Sequence, residues 1–548
     1  MLPGDVLDRI DLPAAVAAEL QVRNRLLPER WDHAALAQNP DDVAARMRPA
    51  LRRSRPGPVR ADVLLADKGW RGTRPLDVLA LQDRVLYRAL VELIKKSLPE
   101  HLSSRPPMAE FKRAPLGAEG ATYISKTDVT AYYQYIDHEL LADELIAQTG
   151  EEPAVDALVG LLRVLMGRGM GIPQIHPVSD VLGDTYLDPV RRSLLREGLS
   201  VWRYADDFRI ASASLGEARR ALETCAAAVR ERGLVLNERK TLTYRKMTYE
   251  DSLNRFRRAE QELFSGSGSG SGSDDDGGDD DLALLDDSYA DADDDSQDDT
   301  PDEQDGPTSL GAAPLDAAVD DDEATAGPDD AEDPEAPGSG LDTALAARRL
   351  EAARRAWRLW IEEEEDEQQQ STESAAITQS LVGRALPALG AAGDNEPLEN
   401  LSQLLRYEPA LTPQIAAYLT RYAATSATAN RAAALALGRV ARSDLVSPWQ
   451  ALWLAHTAGL LRPAEGEDLA GWLTELVHDG RDALAATAGA ALGRRGEGDP
   501  AALARRLEHI AREWRSLLLY GLGLLAPALA DDTSDTDLDR LLLAALPR

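Results

Sequence analysis

Apolar positions change their period along this chain, and the changes mark its elements. Over residues 75–98, Leu79, Val85, Leu86, Leu90, Leu93 and Ile94 share one helical face, and Pro99 closes the stretch. That spacing predicts a single amphipathic helix. Residues 1–60 are more loosely helical, with Val6, Ile10, Ala14 and Leu20 as apolar markers, and end in a basic cluster from Arg52 to Arg60. The cluster reads either as a phosphate-facing patch or as a solvated linker. Ala121 to Val129 reads as a strand that runs on into Ala131–Asp137. Helical spacing returns over 138–148 and 153–167, and Gly167 to Gly171 is a glycine-rich turn. Gly171-Ile172-Pro173-Gln174 opens a helix that runs to about Arg196. Val201–Tyr204 and Phe208–Ile210 are two apolar runs split by Ala205-Asp206-Asp207, the pattern of a hairpin with acids at its tip. A helix over 215–232 ends at Gly233, and Leu234-Val235-Leu236 begins a short strand.

At Phe264 the pattern stops. Ser265 to Ser273 is a strict Ser-Gly alternation, and residues 265–340 hold 27 acidic and no basic side chains. So few large apolar residues cannot offset the entropy of ordering, so a disordered linker or insertion is expected there. Order resumes near Leu341. A helix over 342–361 carries Arg348, Arg349, Arg354, Arg355 and Arg358 beside Trp357 and Trp360. From there to Arg548 the chain is Leu- and Ala-rich with helical spacing. Ala433–Arg439 resembles Ala488–Arg494, as stacked helical repeats would. The expected division is 1–60, a helical extension; 61–264, a first globular unit; 265–340, the acidic tract; 341–370, a basic helix; and 371–548, a helical repeat-like domain.

Charge alters the picture only through its distribution. The formal net charge of −34 looks hostile to nucleic acid, yet residues 1–264 carry 39 basic against 38 acidic residues. The folded parts are near neutral and the acidity is concentrated in one tract. A single cysteine, Cys225, excludes an intrachain disulfide, and seven scattered histidines form no zinc pattern. With no signal pattern and no run of 18 apolar residues, a cytoplasmic protein without membrane partners is expected.

The chemistry lies in the acids. Two adjacent carboxylates at a hairpin tip repel each other, and a divalent cation removes that cost. Asp128, at the end of a preceding strand, supplies a third. Nucleotidyl transfer needs two divalent ions held by carboxylates on neighbouring strands: one activates the attacking 3′-oxygen and the other stabilises the leaving pyrophosphate. Mg²⁺ fits such oxygen ligands.

The order of segments resembles the palm of a reverse transcriptase over roughly residues 65–260. Tyr204-Ala205-Asp206-Asp207 matches the YxDD box of that family. Lys126-Thr127-Asp128 through Tyr133 to His138 resembles the motif of the first metal ligand. Gly171-Ile172-Pro173-Gln174 with Ser179 resembles the motif behind template and nucleotide, and Gly233-Leu234-Val235-Leu236-Asn237 with Lys240 resembles the segment after the hairpin. The resemblance implies an α+β right-hand polymerase of fingers, palm and thumb, the palm built on an antiparallel sheet, followed here by an all-α HEAT-like region. It implies Asp128, Asp206 and Asp207, with the Val129 carbonyl, as ligands of two Mg²⁺ ions, Mn²⁺ being the alternative. Tyr133 would be the steric gate against a 2′-hydroxyl, or else a core aromatic. Gln174 would line the nucleotide pocket, or else cap a helix. Lys240 would sit near the pyrophosphate or on the surface, and Arg105 would grip the triphosphate. Tyr204, Arg354, Arg355 and Arg358 would face nucleic acid, the arginines on a second thumb helix, or else that helix is a solvated charged one packed by Trp357 and Trp360. Where many family members have Gly after Pro-Gln, this chain has Ile175, which bears on the template path.

Lys126 to Tyr133 and the helical C-terminal half also resemble the defence-associated, abortive-infection group of bacterial reverse transcriptases. Some members of that group synthesise DNA without a template or prime on protein. The expected partners are an RNA or DNA template-primer and deoxynucleoside triphosphates, with a homo-oligomer through the helical domain. The competing readings are a retron- or group II intron-like enzyme of a mobile element, and a non-catalytic RNA-binding scaffold with a vestigial palm.

Overall fold

The computed structural model of the chain describes residues 2–53, 57–69, 72–265, 339–365, 372–443 and 446–547. The acidic tract expected to be disordered lies outside the described residues, as does the centre of the basic cluster at Arg52–Arg60.

The sheet that matters has four antiparallel strands. They are labelled here after a preceding hairpin of β1 (Asp62–Asp67) and β2 (Thr73–Val78). The four are β3 (Tyr123–Asp128), β4 (Ser200–Tyr204), β5 (Asp207–Ser212) and β6 (Leu242–Arg245), in the order β4-β5-β3-β6. Successive side chains alternate between faces. Phe208 and Ile210 therefore enter the main core, where helices Ser179–Arg196 and Leu215–Arg230 cover the sheet. The opposite face carries Asp207, Arg209 and Trp202. The short helix Met108–Arg113 lies against it, with Phe111 and Tyr204 in a small cluster of their own.

Three sequence expectations are corrected. The predicted helix over 75–98 is strand and helix: Thr73–Val78 pairs with β1, and the helix spans Leu81–Lys95. Leu76 and Val78 alternate inward from a hairpin, and a helical reading of the same apolar residues missed that pairing. The helix still buries Val85, Tyr87, Leu90, Val91 and Ile94, each worth about 1.5–3 kcal/mol relative to exposure. The helix expected from Gly171 begins at Ser179. Pro173 and Pro177 have no N–H to give, and the Ser179 hydroxyl instead closes the loop onto the Pro173 carbonyl at 2.6 Å. The strand expected at 234–236 contributes only a bridge between Leu236 and Val129, and the paired strand comes later, as β6.

Beyond the sheet, helix Lys246–Ser265 packs on helix Ser339–Glu365, which packs on Thr372–Ala391. The helices that follow alternate between two layers. Thr412–Ala424, Pro448–Leu460, Asp482–Arg495 and Arg512–Leu525 stack in one; Ala427–Ala441, Leu469–Asp479 and Pro500–Leu507 stack in the other. The two segments that looked alike fall in different layers, Ala433–Arg439 in the second and Ala488–Arg494 in the first. Their likeness is therefore one of composition. In the first layer glycines allow close crossing: a Cβ on Gly493 would stand 2.5 Å from the Gly521 carbonyl oxygen.

This first layer docks on the N-terminal helices and on β1. Trp31 stacks on His456 with ring centroids 4.3 Å apart. The indoles of Trp449 and Trp453 both donate to the Leu26 carbonyl, and that of Trp514 donates to Asp62 at 2.8 Å. Arg512 donates to the Gly57 carbonyl at 2.7 Å. No described helix is long and apolar enough to cross a membrane.

Candidate active site

The end of β3 and the start of β5 bring the acids together. Asp128 and Asp207 face each other directly in the antiparallel register, so their side chains leave the same face of the sheet. Asp206 stands in the two-residue turn between β4 and β5. Its carbonyl accepts from the Val129 N–H at 3.1 Å, which ties the turn to the end of β3.

Three non-glycine residues among those described hold a left-handed φ: Ala131 at 48°, Ile175 at 61° and Ala205 at 47°. A left-handed backbone costs a side-chain-bearing residue about 1–2 kcal/mol. All three flank the site: one between Asp128 and Tyr133, one after Gln174, one before Asp206. Backbone strain of this kind persists where neighbouring contacts over-determine it, and it clusters at functional sites. At Ile175 the strain falls on a β-branched residue, for which that region is least favourable. The glycine that the resemblance leads one to expect there would meet no such penalty.

The charges around the acids are unequal. Asp207 is buried, and its Oδ1 accepts from the guanidinium of the equally buried Arg209. Arg209 lies over the Phe111 ring, 5.1 Å from its centroid, and donates to the Tyr249 hydroxyl. Asp128 has the Lys240 ammonium at 3.5 Å and the Asn237 amide at 3.4 Å. Asp206 is pushed well above the usual carboxylate range, first by burial and then by its two like-charged neighbours, Asp128 and Asp207. A carboxyl raised for those reasons gains from an added cation. Among the described residues no three acidic or histidine side chains close into a ready ligand cage, and the Asp207 carboxylate is turned to Arg209. The donor set itself, clustered carboxylates, suits a hard divalent cation such as Mg²⁺.

The other expected residues divide between the site and elsewhere. Tyr133 is buried, and its hydroxyl donates to Asp180. Arg105 lies on the same cluster, donating to Asp184 through Nε and pairing with Asp180 at 3.0 Å, while its plane covers the Tyr204 ring at 5.2 Å. Its planar fork is thus engaged by two carboxylates. Gln174 is fixed through its backbone, whose N–H donates to the Asp77 carboxylate at 3.0 Å. Arg354 pairs with Asp394 at 3.0 Å, and Arg355 and Arg358 pair with Glu351. These three arginines are answered by acids of the helical region. Trp357 and Trp360 stack beneath them at 5.1 Å.

Several neighbours of the acids escaped the sequence reading. Arg74 on β2 comes near Asp206 and Tyr133: burial lowers its pKa and those two groups oppose the effect. Nothing in the sequence marked it, because its strand read as helix. Asp180 and Asp184 had a signal, being acids four apart just after Ser179 and so on one helical face. Arg203 and Arg209 had another, as cations flanking the acid pair on the two strands of the hairpin. Burial alone would raise the Asp184 carboxyl, but Arg105 and Arg203 overcome it and hold Asp184 below the usual range. Arg203 also donates to the carbonyl of the strained Ala205 at 2.8 Å.

Residues 66–256 match the family model of reverse transcriptase (RNA-dependent DNA polymerase). That span holds the four-stranded sheet, the β2 arginine and every acid of the site. The domain is that of an RNA-directed DNA polymerase, a nucleotidyltransferase with nucleic acid template-primer and nucleoside triphosphate as its substrates. No curated protein matches the chain.

Proposed function

We propose that the catalytic centre is formed by Asp128, Asp206 and Asp207, with the Val129 carbonyl, and that it joins a deoxynucleotide to a primer 3′-end. The observation that carries this reading is geometric: Asp128 and Asp207 stand opposite each other in register, with Asp206 beside them in a turn whose Ala205 is strained. Mg²⁺ held by these oxygens would activate the attacking 3′-hydroxyl and offset charge on the departing pyrophosphate. The chain's own residues do the rest. Arg74 and Lys240 bring positive charge to the edge of the acid cluster, where a triphosphate would lie. The ring of Tyr133 closes the sugar side of the pocket and excludes a 2′-hydroxyl. The Gln174 backbone, anchored on Asp77, fixes the loop beside it. Arg209, two residues along the same face of β5, holds Asp207 in place.

The all-helical region, standing where an enzyme of a mobile element would carry maturase or endonuclease motifs, supports membership of the defence-associated group and a cytoplasmic antiphage role. Template-independent or protein-primed synthesis are variants of the same chemistry within that proposal. The test is incorporation of deoxynucleotides by purified protein with Mg²⁺, followed by sequencing of the nucleic acid that copurifies. Asp206→Ala is expected to abolish incorporation. Undiminished incorporation by that variant overturns the site, and tight RNA binding without incorporation under any divalent metal supports a scaffold instead.

A further inference from the structure

Beside the acid cluster lies a second charged group that is fully answered within the protein. Asp180 and Asp184 sit one turn apart on helix Ser179–Arg196 and face two arginines from different parts of the chain. Arg105 bridges both acids: Nη1 pairs with Asp180 at 3.0 Å, Nη2 donates to the Asp180 carbonyl at 3.3 Å, and Nε donates to Asp184. Arg203 donates to Asp184 Oδ1 at 2.7 Å, to the Asp184 carbonyl at 3.1 Å and to the Ala205 carbonyl at 2.8 Å. Two carboxylates meet two guanidiniums, so the charges balance, and both ends of the chain of contacts reach the active site. One end is the catalytic turn, through Ala205. The other is Tyr133, whose hydroxyl donates to Asp180.

We propose that Asp180 is a specificity-positioning residue: it fixes the Tyr133 ring in the orientation that rejects a 2′-hydroxyl, and Arg105 holds it for that purpose. The inference rests on the gate role given to Tyr133 above. A tyrosine needs its hydroxyl only as an anchor in such a role, since the ring alone does the excluding. Tyr133 packs edge-on against Tyr132 at 5.2 Å, which supports one side of the ring. The bond to Asp180 holds its far end. Tyr132 is itself fixed, donating to the Gly183 carbonyl of the same helix. The helix therefore sets both rings, and Asp180 is the point at which the gate is fastened. Removing Asp180 is expected to act on selection through Tyr133, whose hydroxyl it holds.

The experiment compares kcat/KM for a deoxynucleotide with that for the matching ribonucleotide in the full-length protein with Mg²⁺. The variants are Tyr133→Phe, Asp180→Ala, the double variant and Asp180→Asn. Either single change removes the same orienting hydrogen bond and is expected to lower the deoxy-to-ribo ratio about tenfold. The double variant is expected to fall no further, because both changes break one contact. Asp180→Asn, which keeps an acceptor for the phenol, is expected to restore most of the ratio. Thermal unfolding of each variant checks that the fold persists, and Asp180, part-exposed at the pocket edge, leaves Arg105 still paired with Asp184 when removed. An unchanged ratio in Asp180→Ala, or single effects that multiply in the double variant, overturns the assignment. Absence of incorporation by the wild-type protein overturns the polymerase reading itself.

Discussion

Two groups of carboxylates stand on either side of the turn Ala205-Asp206, and one acid of each, Asp184 and Asp206, is shifted in the opposite direction to the other. Asp184 is held below the usual carboxylate range although it is buried, because Arg105 and Arg203 face it. Asp206 is pushed above that range, because what faces it is burial and two more carboxylates. Burial costs both acids. The difference is whether the chain supplies the countercharge. At Asp184 two guanidiniums outweigh burial; at Asp206 the nearby Arg74 and Lys240 do not offset burial and the carboxylate neighbours, and an added cation would. The comparison sets Asp184 apart from Asp206; Asp128 and Asp207, which also face Lys240 and Arg209, are joined to Asp206 by the strand register and the turn.

The largest expected effect is on chemistry. Asp206→Asn is expected to reduce incorporation by at least ~10³-fold, on the scale of losing a key charge-stabilising group at an active site. Steady-state incorporation assays check it, and a loss below tenfold breaks the distinction. Next in size is Asp184→Asn, which leaves two buried guanidiniums short of a partner. It is expected to cost about 3 kcal/mol of stability in denaturant unfolding. The pH dependence has a definite sign. The folded-state pKa of Asp184 lies below its unfolded value of 3.8. Its contribution is therefore present above pH 3.8 and is lost as pH falls below that value, so the difference between wild type and variant should close on acidification.

A third prediction runs the other way. Asp206→Asn removes like-charge repulsion, so without divalent metal it should stabilise the fold by about 1 kcal/mol while destroying activity. A destabilised variant would sharpen the account against uncompensated charge. The smallest effect concerns the dock between the N-terminal helices and the helical region. Burial drives His456, stacked on Trp31, down to about 3. A neutral imidazole there favours the fold above the ordinary histidine value of 6.5, and the contribution is lost as pH falls from 6.5 towards 3. Hydrogen exchange of helix Trp31–Leu36 should rise over that interval relative to the sheet.

Much of the site was legible in the sequence because a strand, a turn and two acids are local facts. The hairpin at Tyr204–Asp207 and the strand ending at Asp128 fall where alternation and turn chemistry placed them. What escaped was non-local. Arg74 reaches the site only because β2 pairs with β1, and an amphipathic count cannot distinguish Leu76 and Val78 in a strand from the same residues at a helix start. The fastening of Tyr133 to Asp180 joins residues 47 apart, and no spacing rule foretells which buried tyrosine finds which acid. The helical character of the C-terminal half followed from its periodicity. Its layering did not, and the apparent repeat misaligned the layers because Ala-rich helices share composition whatever their register.

The most direct test of the central claim is divalent cation binding by titration calorimetry, with Mn²⁺ as probe and no nucleic acid present. The account predicts that wild-type protein and Asp180→Ala bind Mn²⁺ alike, and that Asp206→Asn, folded by thermal unfolding, does not bind. Equal binding by Asp206→Asn and wild type would contradict it, because the Asp206 carboxylate beside Asp128 and Asp207 would then have no part in holding the cation.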